Sequence, residues 1–273
     1  MRRIRSGFTL IEVTMFLVLT ALLFVAVAVG THNSINQQRY NDSIQNFVEF
    51  LRGIYSQVSN VENQGRGRSN KAIYGKLITF GEDYDLSEKL MSERNGIFTY
   101  DVVGNVGDIG TGTALDLLNS LNANVIFADK ETSKLYTLGM AESYTPRWGA
   151  RIEKTDSYTD FTGSILIVRH PRSGTVFTYY LNKVIQVNKA KHDQNITIQG
   201  DEIDITEAMD ASINPLKAEL KNFEVRDIDF CINPDGNEAR RLRQDVRLVE
   251  GARNASGIVL VSNDDEGEQC SKK

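Results

Sequence analysis

Chemistry-bearing side chains are scarce in this 273-residue chain. Its three histidines lie far apart: His32 beside the end of an apolar run, His170 next to Pro171, and His192 among Lys189, Lys191 and Asp193. No nucleophile elbow, no paired-histidine metal motif and no Gly-Lys-Ser/Thr phosphate loop occurs. The common hydrolase, zinc-peptidase and nucleotide-binding signatures are therefore missing. Each histidine reads as a surface or strand-end residue, and the expectation is a chain that is not an enzyme and holds no cofactor and no metal. Cysteine is limited to Cys231 and Cys270, which lack the spacing of zinc ligands. Internal repeats and low-complexity tracts are absent. An excess of positive charge is absent too: 31 Lys and Arg face 36 Asp and Glu. That balance favours solubility and gives no global attraction to nucleic acid or to an anionic membrane.

Charge is missing altogether from Val13–Gly30, where Thr14 and Thr20 are the polar side chains. At about 1.5 Å per residue this stretch makes roughly 27 Å of helix, enough to cross most of a bilayer's hydrocarbon core. Three arginines (Arg2, Arg3, Arg5) precede it, then Gly7, and one carboxylate, Glu12, interrupts the start of the apolar run. The arginines predict a cytoplasmic N-terminus with everything after Gly30 exported. An ionised group in lipid costs about 2.5–3.5 kcal/mol, so Glu12 is a functional candidate whose partner has to be named. Two plainer readings compete. One is a secretory signal peptide cleaved near Ala26-Val27-Ala28, which Glu12 and the length of the run oppose. The other is a generic anchor for an exported enzyme.

The stretch Gly7-Phe8-Thr9-Leu10-Ile11-Glu12 resembles the processing site of type IV prepilins and type II secretion pseudopilins. Cleavage residue, five-residue spacing to the carboxylate, basic leader and apolar run all coincide. The resemblance implies that a prepilin peptidase removes residues 1–7 by cutting between Gly7 and Phe8, and that Phe8 is then N-methylated. It implies that Glu12 pairs with the N-terminal ammonium of a neighbouring subunit. Two buried opposite charges offset each other's desolvation only when they meet. The implied partners are the peptidase, other pilin or pseudopilin subunits, an inner-membrane assembly platform and, before assembly, the lipid bilayer. The implied location is the bacterial inner membrane, single-pass, with the head exported into an extracellular or periplasmic filament. Members commonly carry a disulfide near the C-terminus, so the resemblance implies a Cys231–Cys270 bridge; two free thiols are the alternative. Closing that loop is worth about 3–4 kcal/mol in the chain-entropy model.

Beyond the span, Ile44, Phe47, Leu51, Ile54, Val58 and Val61 recur at steps of three and four, opposite Gln45, Asn46, Glu49, Arg52 and Ser56. This spacing predicts an amphipathic helix over about 31–62, continuous with a membrane helix over 8–30 and ended by the Asn- and Gly-rich run after Glu62. Residues 63–273 then read as a mainly-β head with an inserted lobe around 82–190. Strands are expected at Ile73–Phe80, Ile97–Val103, Ser164–Arg169, Thr175–Leu181, Asn195–Gln199, Phe223–Cys231, Asp245–Val249 and Gly257–Val261, with a hairpin turn at Pro171–Gly174. Short helices are expected at Ala114–Leu121 and Ile205–Leu220, the second broken at Pro215. The fold class is thus α+β, a long N-terminal helix packed on an antiparallel sheet, a pilin-like fold. The C-terminal third, Phe223–Val261, and the helix Asn41–Val61 more loosely resemble H-type pseudopilins and FimT-like minor pilins, which implies a minor subunit.

Three further clusters are weighed. The glycine-rich Gly104–Gly112 lacks the third glycine of a dinucleotide fingerprint, since Leu115 stands there, and reads as a surface loop. Arg240, Arg241, Arg243 and Arg247, with Arg253, could touch phosphates in a minor pilin that binds DNA or another surface. The interleaved Glu238, Asp245 and Glu250 and the lack of aromatics favour a salt-bridged edge strand instead. The tail Asp264-Asp265-Glu266 lacks the alternating spacing of a calcium loop and reads as solvated.

Overall fold

The computed structural model describes residues 9–60, 71–82, 96–105, 113–121, 123–125, 142–155, 159–170, 173–185, 215–233, 244–261 and 270. Helix α1 runs unbroken from Leu10–Ser59, 50 residues, or about 75 Å. No proline falls within it, since the first proline of the chain is Pro146, so nothing interrupts the ladder of backbone bonds. The apolar and amphipathic stretches are one rod. It ends at Asn60, whose backbone leaves the helical region at φ −106°. The expected end lay at Val61 and Glu62, which fall outside the described residues; the helical geometry stops before them.

The buried face of α1 carries Tyr40, Ser43, Ile44, Phe47, Val48, Leu51, Ile54, Tyr55 and Val58. It packs on two antiparallel sheets. The first holds β1 (Lys71–Glu82), β2 (Gly96–Asn105), β3 (Asn124–Val125), β4 (Glu142–Tyr144), β6 (Gly163–Arg169) and β7 (Val176–Leu181). Its order is β3-β2-β1-β6-β7, with β4 beside β2 as well. The second holds β5 (Arg151–Glu153), β8 (Ile228–Asn233), β9 (Gln244–Leu248) and β10 (Ile258–Val261), in the order β10-β9-β8-β5. Helix α2 (Ala114–Ser120) and the short α3 (Pro215–Glu219) complete the described elements, the latter continued by a 3₁₀ turn at Leu220–Asn222.

Two cores result, because side chains alternate faces along each strand. On one face of the first sheet, Ile78, Phe80, Ile165 and Ile167 meet α1 and the inner face of the second sheet, Ile228, Phe230, Ile232, Val246 and Leu248. Phe230 is the hub: its ring centroid lies 5.3 Å from Phe47, 4.7 Å from Phe161 and 5.5 Å from Phe80. On the opposite face, Leu77, Tyr100, Leu166 and Leu181 are covered by Leu117 and Leu118 of α2 and by Leu216, Leu220 and Phe223. Covered on both sides, β6 is buried through most of its length, which explains its unbroken run Ile165-Leu166-Ile167-Val168.

Several sequence expectations are corrected. Within 82–190 the described strands join the two sheets: β2, β4, β6 and β7 pair within the first sheet, and β5 pairs with β8. The strand expected from Phe223 begins only at Ile228. Phe223 turns into the second core, and Glu224 forms a separate backbone bridge to Tyr180. The strand bearing Arg247 lies inside its sheet, between β8 and β10, and is not an edge. Asn195–Gln199 and the first part of the helix expected at Ile205–Leu220 fall outside the described residues; its described part starts at Pro215, a residue suited to a helix's first turn.

Candidate functional site

The candidate site is the long helix and the surface that grips it. Over Leu10–Val27 the mean hydropathy is 2.6, and no part of this window is buried by the rest of the chain. Leu10, Phe16, Leu23 and Phe24 each expose about two thirds or more of their surface. Thr14 and Thr20 return their hydroxyls to carbonyls one turn back, Ile11 and Phe16, at 2.9 Å. Along this stretch the helix therefore presents one unsatisfied polar group, the exposed Glu12 carboxylate near its start. It is long and apolar enough to cross a membrane. Glu12 lies in the first turn of α1. There the unsatisfied N–H groups and the helix dipole favour a carboxylate by about 0.3–1 kcal/mol. Gly7 and Phe8 fall outside the described residues.

The other half of α1 is riveted to the head. The Tyr55 hydroxyl lies 2.6 Å from Thr178 Oγ1, and Thr178 donates to the Ala252 carbonyl at 2.8 Å. With Thr178's one proton so used, Tyr55 is the donor. This buried chain ties helix, first sheet and the loop before β10 together. Burial pushes the Tyr55 hydroxyl up to about 12, against which the Thr178 bond acts only partly. Nearer the apolar half of the helix, Tyr144 of β4 stacks on Phe50 at 4.1 Å and donates to Asn46 Oδ1 at 3.0 Å. Burial raises its pKa as well, with Arg147 opposing. Ser43 donates to the Arg147 carbonyl at 2.8 Å.

That carbonyl belongs to an unusual turn where the chain passes from the first sheet to the second. Trp148, the one tryptophan of the chain, has φ 59° and ψ 24°, and Gly149 has φ 74°. Ala150 N closes the turn onto the Arg147 carbonyl at 3.2 Å. Left-handed backbone costs a bulky residue roughly 1–2 kcal/mol. The Trp148 side chain is 55% exposed, and the Arg39 guanidinium sits 5.0 Å from its ring centroid.

On the outer face of the second sheet, Cys231 is disulfide-bonded to Cys270 with a Cα–Cα distance of 5.6 Å. Its neighbours across the sheet are Glu153 and Asp245, both buried. Glu153 accepts from Asn233 Nδ2 at 2.8 Å. Of the arginines weighed for nucleic acid, Arg247 is held on this face by Asp229 at 2.5 Å; this bond raises its pKa. A half-buried guanidinium so engaged is a structural tie and a poor phosphate ligand. Arg240, Arg241 and Arg243 fall outside the described residues, as do the acidic tail Asp264–Glu266 and His192. His170 accepts from Ser173 N at 3.2 Å within its hairpin. Gly104 lies next to the last residue of β2 beneath the Tyr74 ring, 3.0 Å from where a Cβ would sit, and Val106–Gly112 of the glycine-rich stretch lie outside the described residues. A cleft of about 280 Å³ between the sheets is lined by Lys154, Phe161, Tyr180, Asn182 and Asp229. Arg226 caps the aromatic floor, 4.3 Å over the Tyr180 ring.

The sequence reading missed Tyr40, Val48 and Tyr55 on the helix, although they flank the stripe at helical spacing. It missed Tyr144 and Trp148 entirely. No local period marks β4, β5 or the turn between them, because each strand is only three residues long. No protein-family model matches the chain, and neither a curated protein nor a solved structure matches it.

Proposed function

We propose that the chain is a structural subunit of a type IV pilus or type II secretion-like filament, a minor pilin or pseudopilin of pilin-like fold. In this reading a prepilin peptidase cuts between Gly7 and Phe8, Phe8 is methylated, and the apolar half of α1 packs into the filament core. The head stays outside the inner membrane, on the filament surface or at its tip. The observation that carries the reading is the split character of one continuous helix: bare and apolar over Leu10–Val27, clamped to an antiparallel head from Tyr40 onward. A bare apolar rod must be covered by lipid or by other helices. Rigid attachment to the head makes the rod a handle by which such heads are stacked. Glu12, at the rod's tip, is the group that a neighbouring N-terminal ammonium would neutralise.

Intact-mass measurement on the native protein tests this directly. The expected mass lacks residues 1–7, carries one added methyl group and lacks the two thiol hydrogens of Cys231 and Cys270. Glu12→Ala should leave the protein in the membrane and out of filaments. A native chain starting at Val29, or one that assembles with its arginine leader intact, overturns the proposal. An exported enzyme on an anchor would keep its activity in Glu12→Ala.

A further inference from the structure

We propose that Arg39, Arg147 and Trp148 form a docking patch for an anionic phospholipid surface, seating the near end of the head on the bilayer that α1 crosses. The proposal rests on Leu10–Val27 being a membrane span. The patch is continuous with that span along one helix. The uncharged run that contains the span ends at Gly30, and Arg39 follows it by about 13 Å of axial rise. The polar headgroup layer extends roughly 5–8 Å beyond the hydrocarbon, so Arg39 stands within about one Debye length, 8 Å, of anionic headgroups. The helix tilt, about 20° on average, shortens that gap.

The chemistry fits such a surface. Arg39, Arg147 and Trp148 are all exposed, and neither guanidinium forms a carboxylate pair among the described residues. With the exposed Asp42 one turn further along α1, these two cations still leave a local excess of positive charge on a chain of net charge −5. Ile35, one turn before Arg39 on the same helix face, is 47% exposed. Cations beside tryptophan and an aliphatic group are the composition of a membrane-interface anchor. The turn is held where it is by Ser43 on α1 and holds its tryptophan outward in a left-handed conformation. Such strain persists where the surroundings over-determine it, and it is a pointer to function.

Because Trp148 is the one tryptophan, its fluorescence reports on this patch alone. The full chain is reconstituted into phosphatidylcholine vesicles with and without phosphatidylglycerol, each carrying a headgroup nitroxide quencher. Trp148 should be quenched in the anionic vesicles and not in the neutral ones. Quenching should vanish at about 1 M salt, where the Debye length is about 3 Å. In Arg39→Gln/Arg147→Gln the docked-to-undocked ratio should fall about 25-fold; both side chains are exposed, so the head stays folded. Flotation with the vesicles reports the span separately. Flotation with no quenching, or with equal quenching in both lipids, overturns the docking patch and leaves the span standing. Emission that responds to protein density and not to lipid charge also overturns it, in favour of a contact between subunits. Failure to float overturns span and patch together.

Discussion

The two halves of α1 share one backbone and meet opposite fates. Over Leu10–Val27 the side chains beyond Glu12 are apolar on every face apart from Thr14 and Thr20, and none of the surface is covered. From Tyr40 to Val58 one face is buried to within a few per cent, and the other carries Gln45, Glu49 and Arg52. A helix apolar on every side cannot be served by one sheet, because a sheet covers a single stripe. The first half therefore calls for partners outside the chain, and the second already has its partner within it. Head stability should depend on the second half alone, and assembly on the first.

The sharpest test pairs substitutions across that divide. Phe47→Ala should cost the head about 3–5 kcal/mol in chemical denaturation, since Phe47 is 1% exposed and meets Phe230 edge-on. Phe16→Ala should leave the same transition unmoved. Equal effects from the two would break the comparison. Next in size is the staple: Cys231→Ala/Cys270→Ala should cost about 2–5 kcal/mol, read by the same denaturation curve. A loss well beyond that of Phe47→Ala would make the cross-link, and not the helix, the main support of the head.

A smaller effect comes from pH. The Tyr55 hydroxyl is raised from 10.0 to about 12 by burial, so the unfolded chain ionises first. The stabilisation from keeping it neutral is complete below pH 10 and is lost as the pH rises through about 12. Over that window it amounts to about 2–3 kcal/mol. The difference between wild type and Tyr55→Phe isolates it from the other tyrosines. If the two lose stability in parallel from pH 10 to 12, Tyr55 is not sealed between helix and head. Smallest of all is Trp148→Asn at the junction of the halves. Asparagine tolerates the left-handed turn, so thermal unfolding should stay level or rise by up to about 1 kcal/mol. A marked loss would mean that Trp148 supports the fold by packing.

Legibility followed period. The stripe Ile44–Val58 was readable because the 3.6-residue repeat persists over four turns, and β1, β2, β6 and β7 were readable as β-branched runs bounded by turn residues. Strands β3, β4 and β5 were not, since two or three residues hold no period. The strand forecast from Phe223 began too early because Phe223 and Val225 look alike in the sequence. One fills the second core and the other is 47% exposed. At the candidate site, Glu12 and the span stood out as a carboxylate beside an uninterrupted apolar run. The turn at Trp148 had no signature, because tryptophan is a poor guide to a left-handed conformation.

The sequence by itself determined where an apolar rod begins, which face of its continuation seeks cover, and that an antiparallel head follows. These are local properties, set by side-chain type against a fixed helical or pleated repeat. The tertiary structure alone decided that the described strands within 82–190 are shared between both sheets, that Tyr55 is locked through Thr178 to Ala252, and that Arg39 meets Trp148. Those pairings join residues tens to more than a hundred positions apart. Nothing within a local window encodes them, because they exist only once the whole chain has closed on its cores.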